Sequence, residues 1–161
     1  ADVEDVFDVL TLDPDVALIG TLRLDGMDLY ADAIEVSEIC VPVLYIEGGR
    51  VRFRRRRMDV LAASSELRGM GYERCVLFDA ASAGRSIDRD LWRTLHRGDW
   101  EAFAAGGITE TDIPFLSREG YAGAAIDPYI PSRRPHDEGL RPLETEFSFK
   151  SPAPSGSWSG V

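Results

Sequence analysis

At 161 residues, with a formal net charge of −10, 44% hydrophobic and 29% charged side chains, the chain has the composition of one globular domain rather than of a disordered segment. A chain of this length buries about two-thirds of the surface its unfolded form exposes, so a self-sufficient core is available. The longest apolar run, CVPVLYI at 40–46, falls far short of the ~20 residues of a membrane span, and the opening ADVEDVFDVL is acidic where a signal peptide is basic, so the sequence reads as a soluble protein made in the cytoplasm with no membrane partner.

Val3, Val6, Phe7 and Leu10 recur at helical spacing and predict a short amphipathic helix that stops before Asp13-Pro14. In DPDVALIG, Asp13 suits an N-cap, Pro14 a first helical position and Gly20 a C-terminal cap, which predicts a second, very short helix. TLRLDGMDLYADAIEV then alternates apolar and polar residues on each side of Asp25-Gly26, the pattern of a two-residue hairpin. VPVLYIEGGRVRFRRR reads as a second hairpin around Gly48-Gly49. Its first strand is continuously apolar, and on its second Val51 and Phe53 share one face while Arg52 and Arg54 share the other.

MDVLAASSELRG places Val60, Ala63, Ser64 and Leu67 on one helical face with Gly69 as its stop, and YERCVLFD follows as a strand. Residues 87–105 read as a helical insertion, a broken pair burying Leu91, Trp92, Leu95, Trp100 and Phe103. Residues 106–142, punctuated by Pro114, Pro128, Pro131, Pro135 and Pro142, read as a long proline-rich loop. LETEFSFK alternates as a strand with Leu143, Thr145, Phe147 and Phe149 inward, and the uncharged tail SPAPSGSWSGV reads as an extended C-terminal arm. The whole predicts an α+β fold: a small mixed or antiparallel sheet with flanking helices in one domain over 1–150, and an arm over 151–161.

Charge is distributed unevenly. Residues 1–49 hold twelve acids against the single Arg23, whereas 50–57 hold six arginines, Arg50, Arg52, Arg54, Arg55, Arg56 and Arg57. These six, with Trp158 in the arm, are the candidate contacts to another subunit or to DNA in a channel; an edge strand kept soluble by charge is the plainer explanation.

No catalytic, cofactor-binding or metal-binding set is complete. Cys40 and Cys75 sit in apolar runs as free thiols, and with lone His96 and His136 they lack zinc spacing. DAASAGRS at 79–86 lies where a phosphate loop would, but Asp79 and Arg85 stand where the first glycine and the lysine are needed, so a capped turn is expected. Ser64 or Cys75 with His96 draws a triad that no spacing supports. The alternative with most substance is a magnesium-dependent PD-(D/E)xK-like nuclease, or an inactive nucleic-acid-binding derivative, with Asp28 or Asp32 and Glu47 as carboxylates; the lysine is missing, and Arg50 is too strong a base to replace it.

VEDVFDVLTLDPDVALIGTLRL at 3–24, followed by VPVLYI at 41–46, resembles the opening of tail-completion and tail-terminator proteins of tailed bacteriophages and related viruses, which begin with a helix, an L..DP.VA.L.G segment and later an lP.vvy strand. The resemblance implies a small non-enzymatic α+β subunit, a tail-terminator or neck component joining tail to head. It implies a ring of copies, usually hexameric, in the virion beside other virion proteins and packaged DNA, assembled in the host cytoplasm, with no cofactor. The Arg stripe, the 87–105 insertion and the proline-rich loop have no counterpart in that pattern. If the uncharged arm is held by a neighbouring subunit through Trp158, truncation after Lys150 should leave the monomer's melting temperature nearly unchanged and weaken assembly; a clear fall in monomer stability would mean that the arm packs on its own domain.

Overall fold

The computed structural model describes residues 2–95, 100–127 and, as backbone, 149–150. Helix α1 (Val3–Leu10) starts at Asp2, whose side chain accepts from the Asp5 N–H while Asp5 returns the bond to Asp2. Strand β1 (Ala17–Gly20) and a single 3-10 turn (Thr21–Arg23) lead to α2 (Asp28–Val36). Then come β2 (Cys40–Glu47), β3 (Arg50–Arg52), β4 (Arg57–Asp59), α3 (Val60–Gly69), β5 (Arg74–Asp79), α4 (Arg89–Leu95), β6 (Glu101–Ala105), a second 3-10 turn (Glu110–Asp112), α5 (Ile113–Arg118), β7 (Gly123–Ala125) and β8 (Phe149–Lys150).

The fold is α+β with one mixed sheet, as expected, and its core is a parallel run. Strands β1, β2, β5, β6 and β7 are successive parallel neighbours, while β3, β4 and β8 pair antiparallel. Since spatial order follows chain order and crossovers are right-handed, every crossover helix falls on one face of the sheet. The burial agrees. Leu44, Ile46, Cys75, Leu77, Ala102, Ala104 and Ala124 pack with helix residues such as Tyr30, Ala63, Leu67, Trp92 and Leu116. The opposite face carries Val41, Val43, Val76 and Ala105 with Tyr45, Phe78, Phe103 and Ala125, a cluster drawn from strands alone.

Four expectations are corrected. Residues 17–20 form β1 rather than a helix: Asp13 takes a positive φ of 53°, turning the chain out of α1, and ALIG pairs with Cys40–Val43. No hairpin forms at Asp25-Gly26; Tyr30 and Ala33 are buried on α2, and the period-2 pattern there was coincident with a helical stripe. The 87–105 insertion is not wholly helical. EAFAA is β6, inserted between β5 and β7, and tertiary pairing outweighs the helix preference of its alanines. Finally, the stretch taken as loop from 106 contains the second 3-10 turn, α5 and β7 before residue 127. The rest of that loop, 128–142, the inward residues Leu143, Thr145 and Phe147, and the arm with Trp158 lie outside the described residues; of the expected final strand, Phe149–Lys150 pairs with β7.

α3 with its four buried positions and β5 stand as expected, and the second hairpin does so up to Arg52: there its second strand ends, and a turn over Phe53–Arg56, closed by the Phe53 N–H donating to the Arg56 carbonyl at 2.9 Å, returns the chain as β4 instead of carrying Phe53 and Arg54 on the strand. Both cysteines are buried free thiols. Two tyrosines tie the helix layer to itself: the Tyr72 hydroxyl donates to the Tyr30 carbonyl at 2.8 Å, and Tyr121 to the Trp92 carbonyl at 2.8 Å. Leu77 is 1% exposed at the sheet centre and Leu12 78% exposed. Leu77→Ala should therefore cost about 3 kcal/mol in urea unfolding, and Leu12→Ala less than about 0.5 kcal/mol; equal costs would contradict the placement of the core.

Candidate functional site

The arginine stripe occupies one edge of the sheet and is held there by its own chain. Glu47, at the end of β2, accepts from Arg52 Nη1 at 3.2 Å and also from Arg57 Nη2. Asp25 lies 3.4 Å from Arg54 Nε and 3.6 Å from Arg55 Nε. Arg56 stacks on the Phe53 ring at 5.0 Å, and Gly26 passes so close to the Arg56 guanidinium that a Cβ there would sit 3.1 Å from Nη2. Arg50 is paired in register with Asp59. The Arg54 N–H donates to the Leu24 carbonyl at 2.8 Å, pinning the tip of the β3–β4 hairpin to the segment after β1.

The side chains of Arg52, Arg54, Arg55 and Arg57 remain half or more exposed, from 51% at Arg52 to 75% at Arg55. Six arginines against Glu47, Asp25 and Asp59 leave the hairpin positively charged.

On the same edge lies the opposite charge. Helix α1 contributes Asp2, Glu4, Asp5 and Asp8 and no base. Beside it, a groove of about 420 Å³ runs along β1, lined by Val6, Val9, Leu18, Leu22 and Tyr45, with Arg23 among its polar residues. Val9, Leu18 and Leu22 are 44%, 52% and 41% exposed, a grouping of large apolar side chains that single scattered exposure does not explain.

The carboxyl ends of parallel strands are where α/β sheets usually hold ligands, and here they carry a second polar cluster. Asp79, at the end of β5, caps the following turn, accepting from the Ala81 N–H at 3.1 Å and from the Ser82 hydroxyl, so 79–86 is the capped turn expected. Gly106 and Gly107, at the end of β6, have φ of 93° and 72°, and a Cβ on either would press into the carbonyls of Asp79 or Ser82. The N–H groups of Gly84 and Gly107 both donate to Asp127 Oδ2, at 2.8 and 3.2 Å. Asp112 accepts from the Thr109 hydroxyl at 2.7 Å, its N–H at 3.1 Å and Arg89 Nη2 at 3.0 Å. Sequence reasoning missed Asp112 and Asp127, because both fell in the segment taken as loop; the TETD capping pattern at 109–112 was the available signal.

The structure does not gather the other constellations. Asp28 and Asp32 stand exposed on α2 while Glu47 is engaged by two arginines, and among the described residues no group of three His, Cys, Asp or Glu could hold a metal ion. Ser64 is buried on α3, and burial pushes the Cys75 thiol far up and raises that of Cys40, away from the thiolate that a nucleophile needs. His96 and His136 lie outside the described residues. Among the described residues no helix is long and apolar enough to cross a membrane. Set against protein-family models and curated proteins, the chain matches none.

Burial alone would raise the Asp112 carboxyl, but the Thr109 hydroxyl, Arg89 and the Thr109 N–H outweigh it and hold the carboxyl below its ordinary value. Its stabilisation is therefore complete above the ordinary aspartate pKa of about 4 and disappears as pH falls through the lower folded value. Asp112→Asn should cost about 1–3 kcal/mol at neutral pH, and the gap from the natural protein should narrow on acidification below about pH 4; a gap independent of pH would contradict this role.

Proposed function

We propose that the protein is a non-enzymatic assembly subunit that works by binding copies of itself. One observation carries the reading: a single sheet edge presents an acidic helix, an exposed apolar groove and a basic hairpin, the surfaces that self-association uses. The specific version is a tail-terminator or neck component of a tailed bacteriophage or related virus, a ring joining tail to head in the virion beside other virion proteins. It draws on the resemblance of 3–24 and 41–46. The strands within these two stretches lie side by side, β1 in parallel register with the first half of β2. Packaged DNA is the second candidate occupant of the arginine hairpin.

The test is the mass in solution and its response to charge reversal. Light scattering should find an oligomer, and Arg52→Glu with Arg54→Glu should shift it toward monomer while circular dichroism stays unchanged. A natural protein that remains monomeric at high-micromolar concentration would reject self-association.

A second reading is favoured by the Gly84 and Gly107 N–H groups that converge on Asp127. Two backbone donors aimed at one anionic oxygen are the elements of an anion site, here filled by the chain's own carboxylate. On that reading the carboxyl ends of β5, β6 and β7 accommodate a small anionic ligand when Asp127 withdraws. Asp127→Ala should then gain several degrees of melting temperature in inorganic phosphate that the natural protein does not gain; equal responses would count against it.

A further inference from the structure

The strand-only face of the sheet carries polar chemistry beside its apolar cluster. Leu44, Ile46, Val51 and Leu77 pack with the helix layer, so strand alternation turns Tyr45 and Glu47 of β2, Arg52 of β3 and Phe78 of β5 to the other face. Tyr45 and Phe78 are register partners on neighbouring strands and belong to the strand-only cluster. Their ring centroids are 4.9 Å apart at an interplanar angle of 48°, and both side chains are half-buried beside the buried Val43 and Val76. A Cβ on Gly20 would lie 2.9 Å from Tyr45 Cε2, so the ring can lean on β1 only because position 20 has no side chain.

Positive charge lies close to these rings. Glu47 follows Tyr45 by two residues on the same face, about 7 Å at the rise of a strand. There it accepts from Arg52 Nη1 at 3.2 Å and from Arg57 Nη2, and these two arginines are themselves register partners. Two guanidinium groups on one carboxylate leave an excess positive charge, and each keeps N–H donors that Glu47 does not use. The Arg52 and Arg57 side chains are half exposed, so those donors meet solvent.

We propose that this surface binds single-stranded nucleic acid, a base stacking on Tyr45 and Phe78 while its phosphates meet Arg52 and Arg57. An unpaired base offers its π-face to an aromatic platform, and the phosphodiester beside it offers a charge to arginine. The ring pair and the arginine pair are about as far apart as a base and its own phosphate. A duplex keeps its base faces in the stack, so the rings select the single strand, which the arginines alone would not do.

Both arginines already engage Glu47, the acceptor two residues from Tyr45, so stacking and charge carry the binding rather than hydrogen bonds to base edges, and the site tolerates many sequences. The inference narrows the reading of DNA as an occupant of the arginine hairpin and rests on it. It does not depend on self-association at the β1 edge.

Fluorescence anisotropy of a labelled oligothymidine of about 12 nucleotides tests it. At low salt the natural protein should bind this strand about tenfold or more tighter than a duplex of the same length, and binding should weaken as salt rises. Tyr45→Leu with Phe78→Leu keeps apolar bulk and removes both rings; it should lose about tenfold or more in affinity with the salt slope unchanged. Arg52→Gln with Arg57→Gln should flatten the slope of log affinity against log salt by about 1.4 and keep the preference for the single strand. Circular dichroism checks each fold, and if the leucine pair does not fold, the exposed glutamine pair and the strand preference of the natural protein decide. Equal affinity for strand and duplex, an unchanged salt slope in the glutamine pair, or a folded leucine pair that binds as the natural protein does would overturn this site and leave DNA at the hairpin as a charge contact. No binding of strand or duplex at low salt would overturn both.

Discussion

The shared outer edge of β2 is the constraint from which the rest of this molecule follows. Among the described strands β2 is the one with three partners: β5 along one side, and β1 and β3 in turn along the other. Its eight residues are buried apart from Tyr45 and Glu47, which are half-buried, and each does a separate job. Leu44 and Ile46 seal the helix layer, while Val41 and Val43 begin the strand-only cluster of the other face. Pro42, which lacks an N–H, is tolerated because that position faces the β5 side, ahead of Val43 where pairing with β5 begins. Glu47 then turns the chain into the hairpin and anchors two of its arginines. An acidic protein can carry six arginines in eight positions because the residues around β1 and β2 supply the local counter-charges.

Strand order sets the second property of the fold. Because the parallel strands run in chain order, the helices gather on one face, whereas a sheet whose order reverses would clothe both. Parallel sheets are ordinarily buried on both sides, so the strand-only face and the open β1 edge belong to one physical problem: the described residues form a layer that is complete on its helix side only. Surface ion pairs contribute little to the stability of that layer. The arginine hairpin is better understood as a positioned charge, pinned by the Arg54 to Leu24 hydrogen bond and the Phe53 stack, than as a source of folding energy.

How much of this was legible in the sequence depends on what decided each element. The hairpin at Gly48-Gly49, α3 and β5 were readable because turn chemistry, capping and apolar period agree there; Asp59 caps α3 and both glycines take positive φ. The failures came where one stretch fits two periods or where a distant strand decides. DLYADAIEV satisfies both the strand and the helix template, and the buried pair Tyr30 and Ala33 settles it. EAFAA has the composition of a helix and becomes a strand because β5 and β7 stand on either side of it. The arginine stripe was visible as charge, but its partners Glu47 and Asp25 were not, since a cross-strand contact and a loop contact depend on register. The open edge beside β1 was invisible for the same reason: ALIG was read as a helix, so no edge was expected there.

The central claim, that copies of the chain meet at the sheet edge that holds β1, is tested most directly by amide hydrogen exchange at Leu18 and Gly20. The Ala17 N–H donates to the Ile39 carbonyl on the β2 side, so strand alternation turns these two N–H groups away from β2. Association at this edge predicts that their exchange slows as protein concentration rises, while Ala17 and Ile19 change little. Exchange at Leu18 and Gly20 that is fast and independent of concentration, in a sample whose mass shows it to be oligomeric, would contradict the claim.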